Sequence, residues 1–172
     1  KWVDFLIKEN LVGQSCNKSL LSNELALITW RNNIFKVNDL REIINKVISS
    51  GGRLAVGDAS HVPLGIYSKQ ALINLRLWTK LKRKTAPLPN ARSVLAFIER
   101  NEVVAGIVYK SDTHLNEKIK IIYNFPATSH KKITYFAVPT RSARTKEVLE
   151  FCNTLNSIKA KNIFKQHGFL VD

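Results

Sequence analysis

The sequence predicts an α/β fold with a largely parallel sheet. Short apolar runs typical of buried strands, such as residues 25–30 and 103–109, alternate with helical segments along the 172 residues. The second run, VVAGIVY, is apolar throughout, which is typical of a strand buried on both faces of a parallel sheet. Hydrophobic residues make up 45% of the chain, enough to bury a substantial core.

The clearest predicted helix follows Asn38 or Asp39, either of which is a good N-cap, and ends before Gly51 and Gly52. Apolar residues recur at helical spacing within it: Leu40, Ile43, Ile44, Val47 and Ile48. Further helices are predicted over residues 1–11, 65–78, 90–100, 143–156 and 159–167. Further strands are predicted over residues 53–57, 118–125 and 131–138, and a basic loop over 80–90.

Residues 51–72 read as a short buried strand, a tight turn and the start of a helix. A helix start presents backbone N–H groups that lack a partner within the helix, and such groups favour an anion. Asn90-Ala91-Arg92 begins a second helix in the same way. In an open α/β sheet ligands lie beyond the carboxyl ends of the strands, so both turns could face one crevice. The alternative is that both helix starts bind only water, as most do.

The charge balance points to an anionic partner without identifying it. Lys and Arg number 27 against 13 Asp and Glu, a net charge of +14, which suits nucleic acid, an anionic membrane surface, a small oxyanion or simply a solvated basic surface. The basic clusters are separate in sequence, at Lys80–Lys84, His130–Lys132 and Arg141–Lys146. Because aromatic residues are not interleaved with them, the pattern argues against nucleic-acid binding.

The residue types needed for catalysis do not form a recognisable motif, so the sequence predicts no enzyme, no cofactor and no metal site. Asp58 and His61 lie beside the first helix start, where a turn residue and a solvated histidine are the simpler interpretation. Cys16 and Cys152 form no CxxC pattern. They could pair in an oxidising compartment or be ordinary buried thiols, and the sequence favours the second alternative.

Four segments carry a resemblance to a known family: GGRLAVGDASHVPLGIYSKQAL, ARSVLAFIERNEVVAGIVYKSD, FPATSHKKITYFAV and IFKQHGF. In order and in spacing, the chain resembles the periplasmic molybdate-binding protein of bacterial molybdate ABC importers. The resemblance implies a type II periplasmic-binding-protein fold, in which two α/β lobes joined by two crossing strands close on a tetrahedral dianion. The crossings would lie near residues 25–30 and 108–112.

The resemblance also implies a division of the chain and a function. Residues 1–26 and 109–172 would form what remains of lobe 1, and residues 27–108 would form lobe 2. The implied function is high-affinity capture of molybdate or tungstate in the periplasm, for delivery to the membrane permease of an ABC importer.

Three ligand-binding residues follow from matching the family motifs position by position. The implied donors are the backbone N–H groups of Leu64 and Ala91 and the hydroxyl of Tyr109. A phenol suits such a site because it is a neutral donor to an unprotonated dianion.

The sequence departs from the family in two ways. Leu64 stands where the family has a small alanine, and its larger side chain could crowd the pocket. The serines of the family's FAAAS-like and SSS-like motifs have no counterpart, so we expect lobe 1 to be incomplete and the affinity to be reduced. An exposed sheet edge could then favour a dimer. The alternative is a degenerate or truncated fold that binds oxyanions weakly or not at all and acts as a scaffold or interaction protein.

Overall fold

The computed structural model describes residues 2–12, 19–33, 39–143 and 146–171. Contacts divide the chain into two compact units: unit 1 comprises Lys1–Asn23 and Ile133–Asp172, and unit 2 comprises Glu24–Lys132. In chain order the helices and strands are α1 (Trp2–Lys8), β1 (Ser19–Asn23), β2 (Leu25–Trp30), α2 (Leu40–Ser49), β3 (Leu54–Gly57), α3 (Pro63–Asn74), α4 (Trp78–Leu81), β4 (Thr85–Leu88), α5 (Ala91–Glu99), β5 (Ala105–Tyr109), β6 (Ile119–Asn124), β7 (Ile133–Phe136), α6 (Lys146–Leu155) and α7 (Ile158–Gln166).

Unit 2 is built on a five-stranded sheet in the order β4-β3-β5-β2-β6. Strand β3 is parallel to both β4 and β5, whereas β2 is antiparallel to both β5 and β6. The α/β class is therefore confirmed, but the prediction of a largely parallel sheet needs correction. The sheet is mixed because β2 lies between β5 and β6 and runs against both of them.

The core of unit 2 lies where the apolar runs predicted it. Leu25, Leu27 and Ile28 of β2 are fully buried, as are Ile107 and Val108 of β5. A strand buried on both faces has no room for a polar side, which explains why these runs do not alternate.

The predicted N-cap of α2 is confirmed at Asp39. Its Oδ1 accepts hydrogen bonds from the N–H groups of Arg41 at 2.7 Å and Glu42 at 3.0 Å. Below the cap, the apolar face of α2 is buried through Leu40, Ile43, Ile44 and Val47.

Two local predictions in unit 2 were wrong. The helix predicted over residues 65–78 is divided into α3 and α4, and Arg76 between them has a left-handed φ of 58°. The basic loop predicted over residues 80–90 contains the strand β4. Its Pro87 is tolerated because β4 is an edge strand with a single neighbour, β3, in the described sheet.

Unit 1 contains an antiparallel pair of strands, β1 and β7, together with α1, α6 and α7. Strand β1 was not predicted, whereas α6 and α7 were. Large apolar side chains are exposed on both of these helices, among them Phe151 (60%) and Ile158 (80%).

Cys16 lies outside the described residues, and so does any pairing of it with Cys152. No helix in the described part of the chain is both long and apolar enough to cross a membrane.

The division into lobes remains a prediction, and the two contact units differ from it chiefly over residues 109–132. The sequence placed these residues in lobe 1. In the structure they belong to unit 2, because β6 lies within them and pairs with β2.

Gly57 and Gly65 bring the end of β3 and the first turn of α3 into backbone contact. A Cβ on Gly65 would overlap the carbonyl oxygen of Gly57 and lie 2.6 Å from the carbonyl carbon of Asp58. A Cβ on Gly57 would lie 2.7 Å from the backbone nitrogen of Gly65. Only glycine at both positions allows this approach.

We therefore expect Gly65→Ala to lower the free energy of unfolding by about 1 to 3 kcal/mol, as overpacking of a tight contact does. In an ordinary helix the same change raises stability by about 1 kcal/mol, so the sign of the effect is informative. Urea unfolding measures it. Ile73→Ala in the same helix, at a side chain that is 49% exposed, is the control and should cost much less. A stabilised Gly65→Ala variant would contradict the close contact.

Candidate anion-binding site

Three strands of unit 2 end at the same edge of the sheet. Because β3 is parallel to β4 and β5, with Gly57 opposite Leu88, their carboxyl ends point the same way. Helix α3 begins after β3, and α5 begins after β4. The structure thus places Leu64, Ala91 and Tyr109 beyond or at these strand ends, at one edge of one sheet.

The first turn of α3 presents two backbone donors. Val62 is the N-cap and makes no side-chain capping bond, and Pro63 has no N–H to donate. Ile66 donates to the carbonyl of Val62 at 3.0 Å. The N–H groups of Leu64 and Gly65 consequently lack an intrahelical acceptor. The Leu64 side chain is only 1% exposed and belongs to the core.

The first turn of α5 is held by the side chain of Asn90. Its Oδ1 accepts hydrogen bonds from the N–H of Ser93 at 2.8 Å and from the Oγ of Ser93 at 3.1 Å. This cap leaves the N–H groups of Ala91 and Arg92 without an intrahelical acceptor. An open cavity of about 520 Å³ is lined by these four residues and Ala96.

Tyr109 ends β5 opposite Leu25 and is half-buried. The chain then forms a short 3₁₀ helix, Lys110–Thr113, that turns Asp112 back towards the strand end. Burial raises the pKa of the Asp112 carboxyl, while the backbone N–H of Tyr109 and the positive charge of Arg92 oppose that rise. The Oδ2 atom of Asp112 is buried and has no hydrogen-bond partner among the described residues.

Sequence reasoning missed Asp112, although the signal was present in the segment YKSD. An acidic residue three positions after a strand end can fold back onto that strand. Only the structure shows that the Oδ2 atom of this carboxyl is buried and that Arg92 acts on the group.

Asp58 and His61 are turn residues, as the sequence indicated. The Oδ1 of Asp58 accepts from the Oγ of Ser60 at 2.7 Å and from its N–H at 2.9 Å, and these bonds lower the pKa of Asp58. The Nδ1 of His61 lies 2.9 Å from the Oγ of Ser60, on the exposed surface. Within the described ranges, no group of three His, Cys, Asp or Glu side chains could hold a metal ion.

Comparison with known families gives the class of protein to which this fold belongs. Residues 1–170 match the family described as bacterial extracellular solute-binding protein. The chain belongs to this family.

The names of individual relatives are more specific than the description of the family. Over 172 residues the chain is 36% identical to the molybdate-binding protein ModA of Escherichia coli, covering 99% of this chain and 67% of the relative. It is 34% identical to the molybdate-binding protein ModA of Haemophilus influenzae, covering 98% of this chain and 66% of that protein. The chain thus spans about two thirds of the length of these curated relatives.

A solved structure with the same fold is the substrate-binding domain of a candidate molybdenum ABC transporter from Clostridium difficile. Its TM-score is 0.81 at 28% sequence identity, and the match covers 99% of this chain and 72% of that one. The resemblance to a solute-binding family and the predicted fold class are therefore confirmed.

The contribution of the Asn90 cap to folding stability can be tested by substitution. Replacing Asn90 with alanine removes the acceptor for the Ser93 N–H and should cost about 1 kcal/mol of folding stability. Asn90→Ser keeps a capping oxygen and should cost only a fraction of that. Denaturant unfolding of the two variants compares them directly, and equal stability of both with the native chain would show that the cap does not hold α5.

Proposed function

We propose that this protein binds molybdate or tungstate in the periplasm and passes it to the membrane permease of an ABC importer, without catalysing a reaction. The observation that carries the proposal is the convergence of two helix starts and one tyrosine at a single edge of the unit 2 sheet. The names of the two molybdate-binding relatives support the choice of ligand.

The proposed ligand contacts are the N–H groups of Leu64 and Ala91 and the hydroxyl of Tyr109. A tetrahedral oxyanion that is fully ionised accepts hydrogen bonds and has no proton to donate. Fixed neutral donors therefore match it, and the positive ends of two helix dipoles add a favourable field. The net charge of +14 would raise the rate at which anions reach the protein.

All three of these proposed donors belong to residues of unit 2. Because a charge-assisted hydrogen bond contributes about 1.5 to 3 kcal/mol, we expect the loss of any one of the three proposed donors to weaken anion binding measurably.

A second function is favoured by one observation in unit 1, where Phe151 and Ile158 are exposed together with other large apolar side chains. Exposed apolar surface of this kind is typical of a protein that contacts another chain. Under this alternative the chain would be an interaction or scaffold protein, and the dimer predicted from an exposed sheet edge would be one form of it.

Thermal unfolding with added anions separates the two functions. We expect molybdate and tungstate at about 100 times their dissociation constants to add about 2.7 kcal/mol and to raise the melting temperature by about 5 to 10 °C. Sulfate and phosphate at the same concentrations are the controls and should raise it less. If none of the four anions shifts the transition, the scaffold function is favoured.

Tyr109→Phe tests the side-chain donor. Removing the hydroxyl should weaken molybdate binding by about ten- to a hundredfold, the value of one charge-assisted hydrogen bond. Titration calorimetry gives the affinity. Tyr123→Phe on β6, where the ring packs edge-on against Phe125, is the matched control and should bind as the native chain does. Unchanged affinity in Tyr109→Phe would remove that residue from the site.

A further inference from the structure

Among the described residues at the candidate site, the Asp112 carboxyl has a buried oxygen atom that none of the proposed ligand contacts uses. Its carboxylate accepts a hydrogen bond from the backbone N–H of Tyr109. Its Oδ2 atom, however, is buried without a hydrogen-bond partner in the described part of the chain. A buried, unpartnered carboxylate oxygen is unfavourable when charged. Protonation would relieve this because the neutral acid needs less solvation.

The surroundings of Asp112 link it to both sides of the site. Its backbone contact is Tyr109, the proposed side-chain donor, and the charge acting on it is Arg92, which follows the proposed donor Ala91 in the first turn of α5. A change in the charge of this carboxyl would therefore act on the backbone of one proposed donor, Tyr109, and on the cation next to another, Ala91.

The other titratable groups near Asp112 lie on its own turn and on strand β6. Lys110 on the same turn is paired with Glu24, with 2.8 Å between Nζ and Oε2. Strand β6, which packs against this turn, carries Lys120 and Tyr123. The charge of Arg92 acts on the Asp112 carboxyl. Arg92 does not, however, donate a hydrogen bond to Oδ2.

We propose that Asp112 is a positioning residue that takes up a proton when the oxyanion binds, so that anion affinity depends on pH. This inference rests on the proposed function. A bound dianion repels an ionised carboxylate nearby and so favours its neutral form. The neutral acid still accepts a hydrogen bond from the Tyr109 N–H and so keeps the end of β5 in place. The repulsion between the carboxylate and the bound dianion disappears.

The direction of the pH dependence follows from linkage. If the bound state holds one more proton than the free state, affinity is highest at low pH and falls as pH rises from the Asp112 pKa in the free protein towards its higher pKa in the complex. The burial that raises the pKa of Asp112 moves the start of this fall upward from the ordinary range of an aspartate.

The test is titration calorimetry with molybdate between about pH 5 and pH 8 on the native chain, Asp112→Asn and Asp112→Ala. Asparagine resembles the neutral acid, so Asp112→Asn should bind about three- to tenfold more tightly than the native chain at the upper end of this range. The two affinities should converge towards the lower end. Protonation of molybdate itself affects every variant equally and cancels in their ratio.

Asp112→Ala separates positioning from charge. Alanine removes the repulsion but also the acceptor for the Tyr109 N–H, so this variant should bind more weakly than Asp112→Asn at every pH. Far-UV circular dichroism and the unfolding midpoint confirm that each variant is folded.

The outcomes are distinguishable. A native-to-Asp112→Asn affinity ratio that does not change with pH, or an Asp112→Asn variant that binds more weakly throughout, would overturn the proposal and leave Asp112 a structural turn residue. If the native chain binds no molybdate at any pH while remaining folded, the proposed function fails first, and the Asp112 proposal fails with it.

Discussion

The candidate site depends on one backbone contact, between the carbonyl of Gly57 at the end of β3 and Gly65 in the first turn of α3. This contact holds the start of α3 against the strand end, with the N–H groups of Leu64 and Gly65 at the carboxyl edge of the sheet. A side chain at either glycine would push the helix away from the strand. Since helix dipole effects fall off within one turn, such a shift would weaken the field that α3 offers to an anion at this edge.

The parallel register of β4, β3 and β5 brings the other two proposed donors to the same edge. Ala91 follows β4 and Tyr109 ends β5, so both reach the same edge without a long loop. The three proposed donors are neutral groups, and one cation, Arg92, lines the cavity beside Ala91. Neutral donors match an anion that carries no proton, and the charge of Arg92 would add a less specific attraction for anions.

The two units differ in how completely their apolar residues are covered. Unit 2 has a continuous core in which strands such as β2 are fully buried. In unit 1 the described sheet has two strands, and α6 and α7 contain no buried residue. Two strands and amphipathic helices of this kind are marginally stable without further packing. We therefore expect unit 2, which contains the three proposed donors, to be the more stable of the two units.

The sequence by itself determined the local features: the caps at Asp39 and Asn90, the buried runs of β2 and β5, and the strand-turn-helix segment around Gly65. These follow from interactions between residues close in the chain. It did not reveal β4, since Pro87 is read as a loop signal until its edge position is known, nor the reversal of β2, since strand direction is set by partners distant in sequence. Only the tertiary structure placed Leu64, Ala91 and Tyr109 at one edge and buried the Oδ2 of Asp112. The burial of a carboxyl depends on which strands and helices pack around it, and that packing is not encoded in any short segment.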